Sequence, residues 1–225
     1  MKKLFILIAF LSLSANMLAQ TGFDLTVADK KRVVTGSQSY EKNDEEIFAN
    51  ALLWAIERGD KLKDLLDEID YERLRFTMVY NIIQEESMSY SSLLTVQVAQ
   101  GRLVYLISNI KGQTSGLGGM LGATNFDKLN PEKKPKHKAI MEEFEVVNKK
   151  QLKAMLQYVG ENKIDVSNWK DIAAGQLKKG MSESDVLLIH GKPIDRQTSN
   201  GTTQLMYSQY IYVFLEEGKV KSFTQ

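Results

Sequence analysis

A chain of 225 residues with 29 basic and 28 acidic side chains is close to neutral, which makes no electrostatic case for nucleic acid, whose phosphates require a basic face. It carries no cysteine and only two histidines, so neither disulfides nor the common zinc-ligand patterns are open to it. Stability must come from an apolar core, and the length suits one large or two small domains.

The first segment reads as a secretory signal. Lys2 and Lys3 precede an apolar run over 4–11, and small and polar residues follow over 12–20. The apolar run is shorter than the ~18 residues of a membrane helix. Cleavage is expected near Ala19, exposing Gln20, with a cut after Ala15 as the alternative. Residues 1–19 are thus expected to be a signal peptide, and the mature chain to be periplasmic or secreted with no transmembrane segment.

Residues 20–42 are polar, with short extended stretches over 23–27 and 32–35. A helix is predicted from Asn43. Asn43 and Glu46 have capping-box spacing, Asp44 and Glu45 suit the positive helix start, and Ile47, Phe48, Ala51, Leu52, Ala55 and Ile56 recur at helical intervals. Gly59 is expected to end it. Asp64, Asp67, Glu68 and Asp70 lack the glycine and terminal glutamate of a calcium loop and read as a solvated helix face. Leu74, Phe76, Met78, Tyr80 and Ile82 then recur with a period of two, as a strand does. Residues 92–99 and 102–110 alternate likewise, and Gln100-Gly101 joins them as a tight hairpin, giving an antiparallel meander.

Glycines at 112, 116, 118, 119 and 122, followed by lysines with Pro131 and Pro135, predict a mobile surface loop over 112–137. It does not match a nucleotide loop: Leu121 stands where the third glycine is needed, and no Gly-Lys-Ser/Thr follows. Ile140, Met141, Phe144, Val147, Gln151, Met155 and Val159 mark a long helix stopped at Gly160, where the first domain, 20–160, is expected to end.

Residues 161–225 read as a second unit. Trp169, Ile172 and Leu177 suggest a short helix, and Ser182 with Asp185 caps another that stops at Gly191 and Pro193. Strands are predicted over 195–198, 202–207, 210–215 and 220–224, with turns at Asn200-Gly201 and Glu217-Gly218. These caps and turns need nothing from the first domain, which predicts that the unit folds alone.

Two resemblances follow from these residues. Lys179-Gly180-Met181-Ser182, Gly191-Lys192-Pro193, Tyr207, Tyr212-Val213-Phe214 and Gly218-Lys219-Val220 resemble the SmpA/OmlA (BamE-like) module of envelope proteins, similar in shape to β-lactamase inhibitor protein. The resemblance covers 163–225 and implies a small helix, helix, antiparallel-sheet domain. Residues 40–160 resemble an exported bacterial domain of unknown function whose fold is compared with the TATA-binding protein. The residues that carry this are the Asn43 helix with Trp54, the strand holding Tyr80, and Gly101-Arg102 followed by Tyr105. It implies an N-terminal antiparallel sheet with two helices. The fold class expected is therefore α+β in two domains, and the shape comparison implies no DNA binding.

Chemistry is sparse. His190 sits at a helix end that favours a cation, and His137 has no neighbour at ligand spacing. Ser87, Ser89, Ser91 and Ser92 offer hydroxyls with no placed base, and Asn200 fits a glycosylation sequon that a hairpin turn explains better. No catalytic, cofactor or metal residue is assigned. Tyr210, Tyr212 and Phe214 share one strand face while Ile211, Val213 and Leu215 share the other, so both faces are apolar. With Tyr207, these aromatics are the candidate partner-binding residues, core packing between the two domains being the alternative, and Ile211 and Val213 are expected to pack against Val186 and Ile189. The function expected is a non-catalytic binding or structural module of the bacterial envelope, its partner another envelope or secreted protein. An inhibitor or chaperone-like partner of an exported enzyme is the second reading, and an unrecognised hydrolase the third.

Overall fold

The computed structural model describes residues 24–28, 31–58, 66–82, 88–114 and 124–224. The signal peptide 1–19, Gly59, Ser87 and the glycines at 116, 118, 119 and 122 lie outside the described residues. Among those described, an antiparallel sheet runs in the order β1-β2-β6-β5-β4-β3, with β7 beside β6. Its strands are β1 (Asp24–Ala28), β2 (Lys31–Ser39), β3 (Leu66–Asp70), β4 (Arg75–Ile82), β5 (Met88–Ala99), β6 (Arg102–Thr114) and β7 (Thr124–Asn125). Helices α1 (Asp44–Arg58) and α2 (Pro135–Glu161) pack with it around one apolar cluster. The alternating strands β4, β5 and β6 turn Phe76, Met78, Leu94, Val96, Leu103, Tyr105 and Ile107 into this core.

Helix α1 is the centre of the molecule. Ile47 through Ile56 is buried without interruption, so the helix is enclosed on all sides rather than laid on a surface. Its start is fixed as its sequence suggests: the Asn43 Oδ1 accepts the Glu46 amide at 2.7 Å, while the Glu46 carboxylate pairs with Lys42 at 3.3 Å. Lys42 also donates to the carbonyls of Val159 (2.9 Å) and Asn162, tying the entry of α1 to the negative end of α2.

Two expectations are corrected. Asp64 lies outside the described residues, and Asp67, Glu68 and Asp70 are not on a helix face. Leu66–Asp70 forms β3, pairing antiparallel with β4 through Ile69 opposite Phe76 and Asp70 opposite Arg75. A ladder on the sheet edge overrides the local preference of these residues, and Asp70 closes the turn by accepting the Arg73 amide at 2.9 Å. The span 112–137 is also largely structured where it is described. Strand β6 runs on to Thr114, β7 returns against Lys111 and Gly112, and a 3-10 turn spans Phe126–Lys128. Phe126 is fully buried 4.9 Å from the Phe144 ring, and Arg32 donates to the carbonyls of Phe126 and Leu129, both at 2.9 Å. His137 accepts the Asn130 amide on Nδ1 at 2.8 Å, which gives it a turn-closing role. Few apolar residues mark this segment, but two of them, Phe126 and Leu129, are anchored.

The C-terminal unit holds α3 (Trp169–Ala173), α4 (Glu183–His190) and a four-stranded antiparallel sheet, β8 (Asp195–Ser199), β9 (Thr202–Met206), β10 (Tyr212–Glu216) and β11 (Lys219–Thr224), in the order β11-β10-β9-β8. Ser182 and Asp185 form a reciprocal capping box on α4. Val186, Leu205, Val213, Leu215 and Val220 make a small core of their own. From the same unit, Ile172 and Leu188 are buried in the large core. Tyr71 donates its hydroxyl to the Leu188 carbonyl at 2.6 Å, and burial pushes that phenol up to about 12. No helix among the described residues is long and apolar enough to cross a membrane.

Candidate functional site

The small sheet sorts its side chains by alternation. Val213 and Leu215 point into the core with 0% and 1% exposure, so Tyr212 and Phe214 stand on the opposite face, half-buried. On that face Tyr212 lies between Met206 of β9 and Thr224 of β11, and Phe214 lies between Gln204 and Ser222. None of Met206, Tyr212 and Phe214 belongs to or packs against either buried cluster. The result is a short apolar stripe of Met206, Tyr212 and Phe214 flanked by amides and hydroxyls. Tyr210 precedes β10 in a bend and is 72% exposed, while its carbonyl accepts the Thr224 hydroxyl at 2.8 Å. The backbone is held and the ring is free.

Tyr207, expected on the aromatic face, and Ile211, expected in the small core, are both placed differently. Tyr207 follows Met206 and turns the other way, onto the small core, with its ring 5.2 Å from that of His190. Its hydroxyl is buried without a hydrogen-bond partner, and burial raises its pKa. Tyr207 thus belongs to packing rather than to the open face. Ile211 is half-buried between the bend and β10 and lies outside the small core cluster, whereas Val213 packs with Val186 as expected.

His190 differs from the helix-end cation that its position suggests. Burial lowers its pKa from 6.5 by desolvating the charged imidazolium. The unfolded chain therefore binds this proton more readily, and the contribution of His190 to stability is whole above pH 6.5 and is lost as pH falls towards its lowered folded pKa. In His190→Gln this part of the pH dependence is expected to vanish, as urea titrations at pH 7.5 and 5.5 can show. A slope equal to that of the parent protein would refute the assignment.

A concavity lies on the larger sheet. Helix α2 overhangs β2 and β6 and leaves a cavity of about 400 Å³ between Gln38, Tyr105, Leu152 and Leu156, with Lys149, Lys153 and Gln157 along its rim. No protein-family model matches this sequence, and no characterised protein matches it. Solved structures do. A TBP-like protein from Parabacteroides distasonis ATCC 8503 superposes with a TM-score of 0.51 at 11% identity, covering 62% of this chain and 99% of that one. Over the part that is covered, the fold is TBP-like. A DUF4468 family protein from Bacteroides ovatus ATCC 8483 is also similar, with a TM-score of 0.49 at 10% identity over 63% of this chain and 93% of that one.

Chemically, the TBP-like sheet and its helices offer a concave site with an apolar floor and cationic rim, and the small sheet offers a flat aromatic face. Among the described residues no group of three or more potential metal ligands converges. Sequence reasoning reached the aromatic face through alternation but missed the cavity. The available signal was Lys149 and Lys153, two like charges at i,i+4 flanking Leu152 on one helix.

Proposed function

We propose that this chain is an exported, non-catalytic binding module of the bacterial envelope, engaging another envelope or secreted protein through the open face of its C-terminal sheet. The observation that carries this reading is the half-buried stripe of Met206, Tyr212 and Phe214, which lies outside both core clusters beside a Tyr210 ring that is 72% exposed. Tyrosines presented by a rigid strand are frequent anchors of protein interfaces, because they bury a large area at little cost in side-chain freedom. The signal-like N-terminus supports export, and the helix, helix, antiparallel-sheet order supports a BamE-like reading of residues 163–225.

The test is Tyr210→Ala/Tyr212→Ala, assayed by capture from envelope extracts followed by mass spectrometry. Capture of the partner is expected to weaken by about 2 kcal/mol, with the thermal melt nearly unchanged. Lost stability with capture intact would make these two rings structural and remove the basis of the proposal.

A further inference from the structure

We propose that the cavity beneath α2 binds an amphiphilic carboxylate, a carboxylate head on a short unbranched aliphatic tail. Its volume of about 400 Å³ lies in the range of small-molecule sites, roughly 300–1,000 Å³. The floor is the side of Tyr105, only 3% exposed, with Leu152 and Leu156 above it, and the lining is mainly apolar. A tail fits there. The walls are preformed: the Tyr40 hydroxyl donates to the Leu156 carbonyl at 2.9 Å, and Lys42 holds Val159 one turn further on.

The rim selects the head group. Lys149 and Lys153 lie one turn apart at the mouth, where like charges oppose each other and weaken the helix. Among the described residues neither pairs with an acid, whereas Lys138 on the same helix is matched by Glu142 at 3.7 Å. A single carboxylate between the two ammonium groups would relieve that repulsion, with the Gln38 carboxamide at the opposite wall able to donate to it. A cationic amphiphile would meet the same repulsion. A highly charged polar anion would gain nothing from the apolar floor.

The probe is octanoate, kept below micelle formation and titrated into the purified protein by calorimetry. Saturable one-to-one binding is expected. Shortening to hexanoate should weaken it by roughly fourfold per methylene removed, and octylamine should not bind. Lys149→Gln/Lys153→Gln should weaken octanoate by roughly tenfold or more while leaving octan-1-ol unaffected, because only the charge-assisted contacts are lost. Gln157→Trp, an exposed position on the rim, should block both ligands at an unchanged melting temperature. No saturable octanoate binding by the folded protein, equal binding of octylamine, or undiminished affinity in the double lysine variant would each overturn the proposal. The Tyr210→Ala/Tyr212→Ala variant alters the other sheet and should retain octanoate binding, so the two readings fail separately.

Discussion

Replacing Phe48 by alanine is expected to lower the stability of the protein by about 3–5 kcal/mol, the cost of emptying a large aromatic site in a close-packed core. Phe48 is fully buried on α1, and its ring meets three others edge-on: Phe76 at 5.9 Å, Tyr71 at 6.1 Å and Trp169 at 5.8 Å. Phe76 belongs to the large sheet, Tyr71 to the turn that carries the hydroxyl bond to Leu188, and Trp169 to the C-terminal unit. The substitution therefore empties the junction between the two units as well as the main core. Urea unfolding followed by tryptophan fluorescence, which reports Trp54 in α1 and Trp169 at the junction, reads both effects. Phe48→Leu should recover much of the loss by refilling the volume. A cost below about 1 kcal/mol for the alanine variant would show that the junction collapses without penalty, contrary to this packing.

The same junction marks the limit of what the sequence discloses about domains. The caps and turns of residues 161–225 are visible locally, and Ser182 with Asp185 forms the capping box that their spacing implies. The tight turns are legible for the same reason. Gln100-Gly101, Asn200-Gly201 and Glu217-Gly218 all place both central residues at positive φ, which a two-residue hairpin demands and which a glycine at the second position eases. By contrast, nothing local in α3 or α4 says that Ile172 and Leu188 face the other unit's core, so complete turns do not imply an isolated fold. Strand β3 and the turn at Phe126 were hidden likewise, since each depends on a distant partner: the edge of β4 for one, Arg32 and Phe144 for the other. The aromatic face was readable because alternation alone assigns Tyr212 and Phe214 to the side opposite Val213. The cavity was not, because Lys149 and Lys153 mark only its wall on α2, and the facing wall of Gln38 and Tyr105 comes from distant strands.

Asp44 joins two such distant pieces, and its replacement by alanine is expected to cost about 2–3 kcal/mol, from the loss of two charge-assisted bonds to backbone amides. One carboxylate oxygen accepts the Gln100 amide at 2.9 Å and the other the Gly101 amide at 2.6 Å, so the first turn of α1 grips the tip of the β5–β6 hairpin. That tip is held from a second direction by the Tyr40 amide, which donates to the Gly101 carbonyl at 2.8 Å. There is no slack in the arrangement: Gly101 has φ +70°, and a Cβ there would stand 3.3 Å from the Tyr40 carbonyl oxygen. Asp44→Asn keeps one acceptor but turns an amide N–H₂ towards the other donor, and about half the loss is expected. Gly101→Ala adds strain of about 1–2 kcal/mol at the same turn, and the two substitutions together should cost less than their sum, because they disturb one contact. Urea midpoints of the three single variants and the Asp44→Ala/Gly101→Ala pair, with amide exchange at residues 98–103 as the local readout, decide the matter. Full additivity, or an Asp44→Ala protein within about 0.5 kcal/mol of the parent, would show that the hairpin tip is held by its own turn and not by the helix.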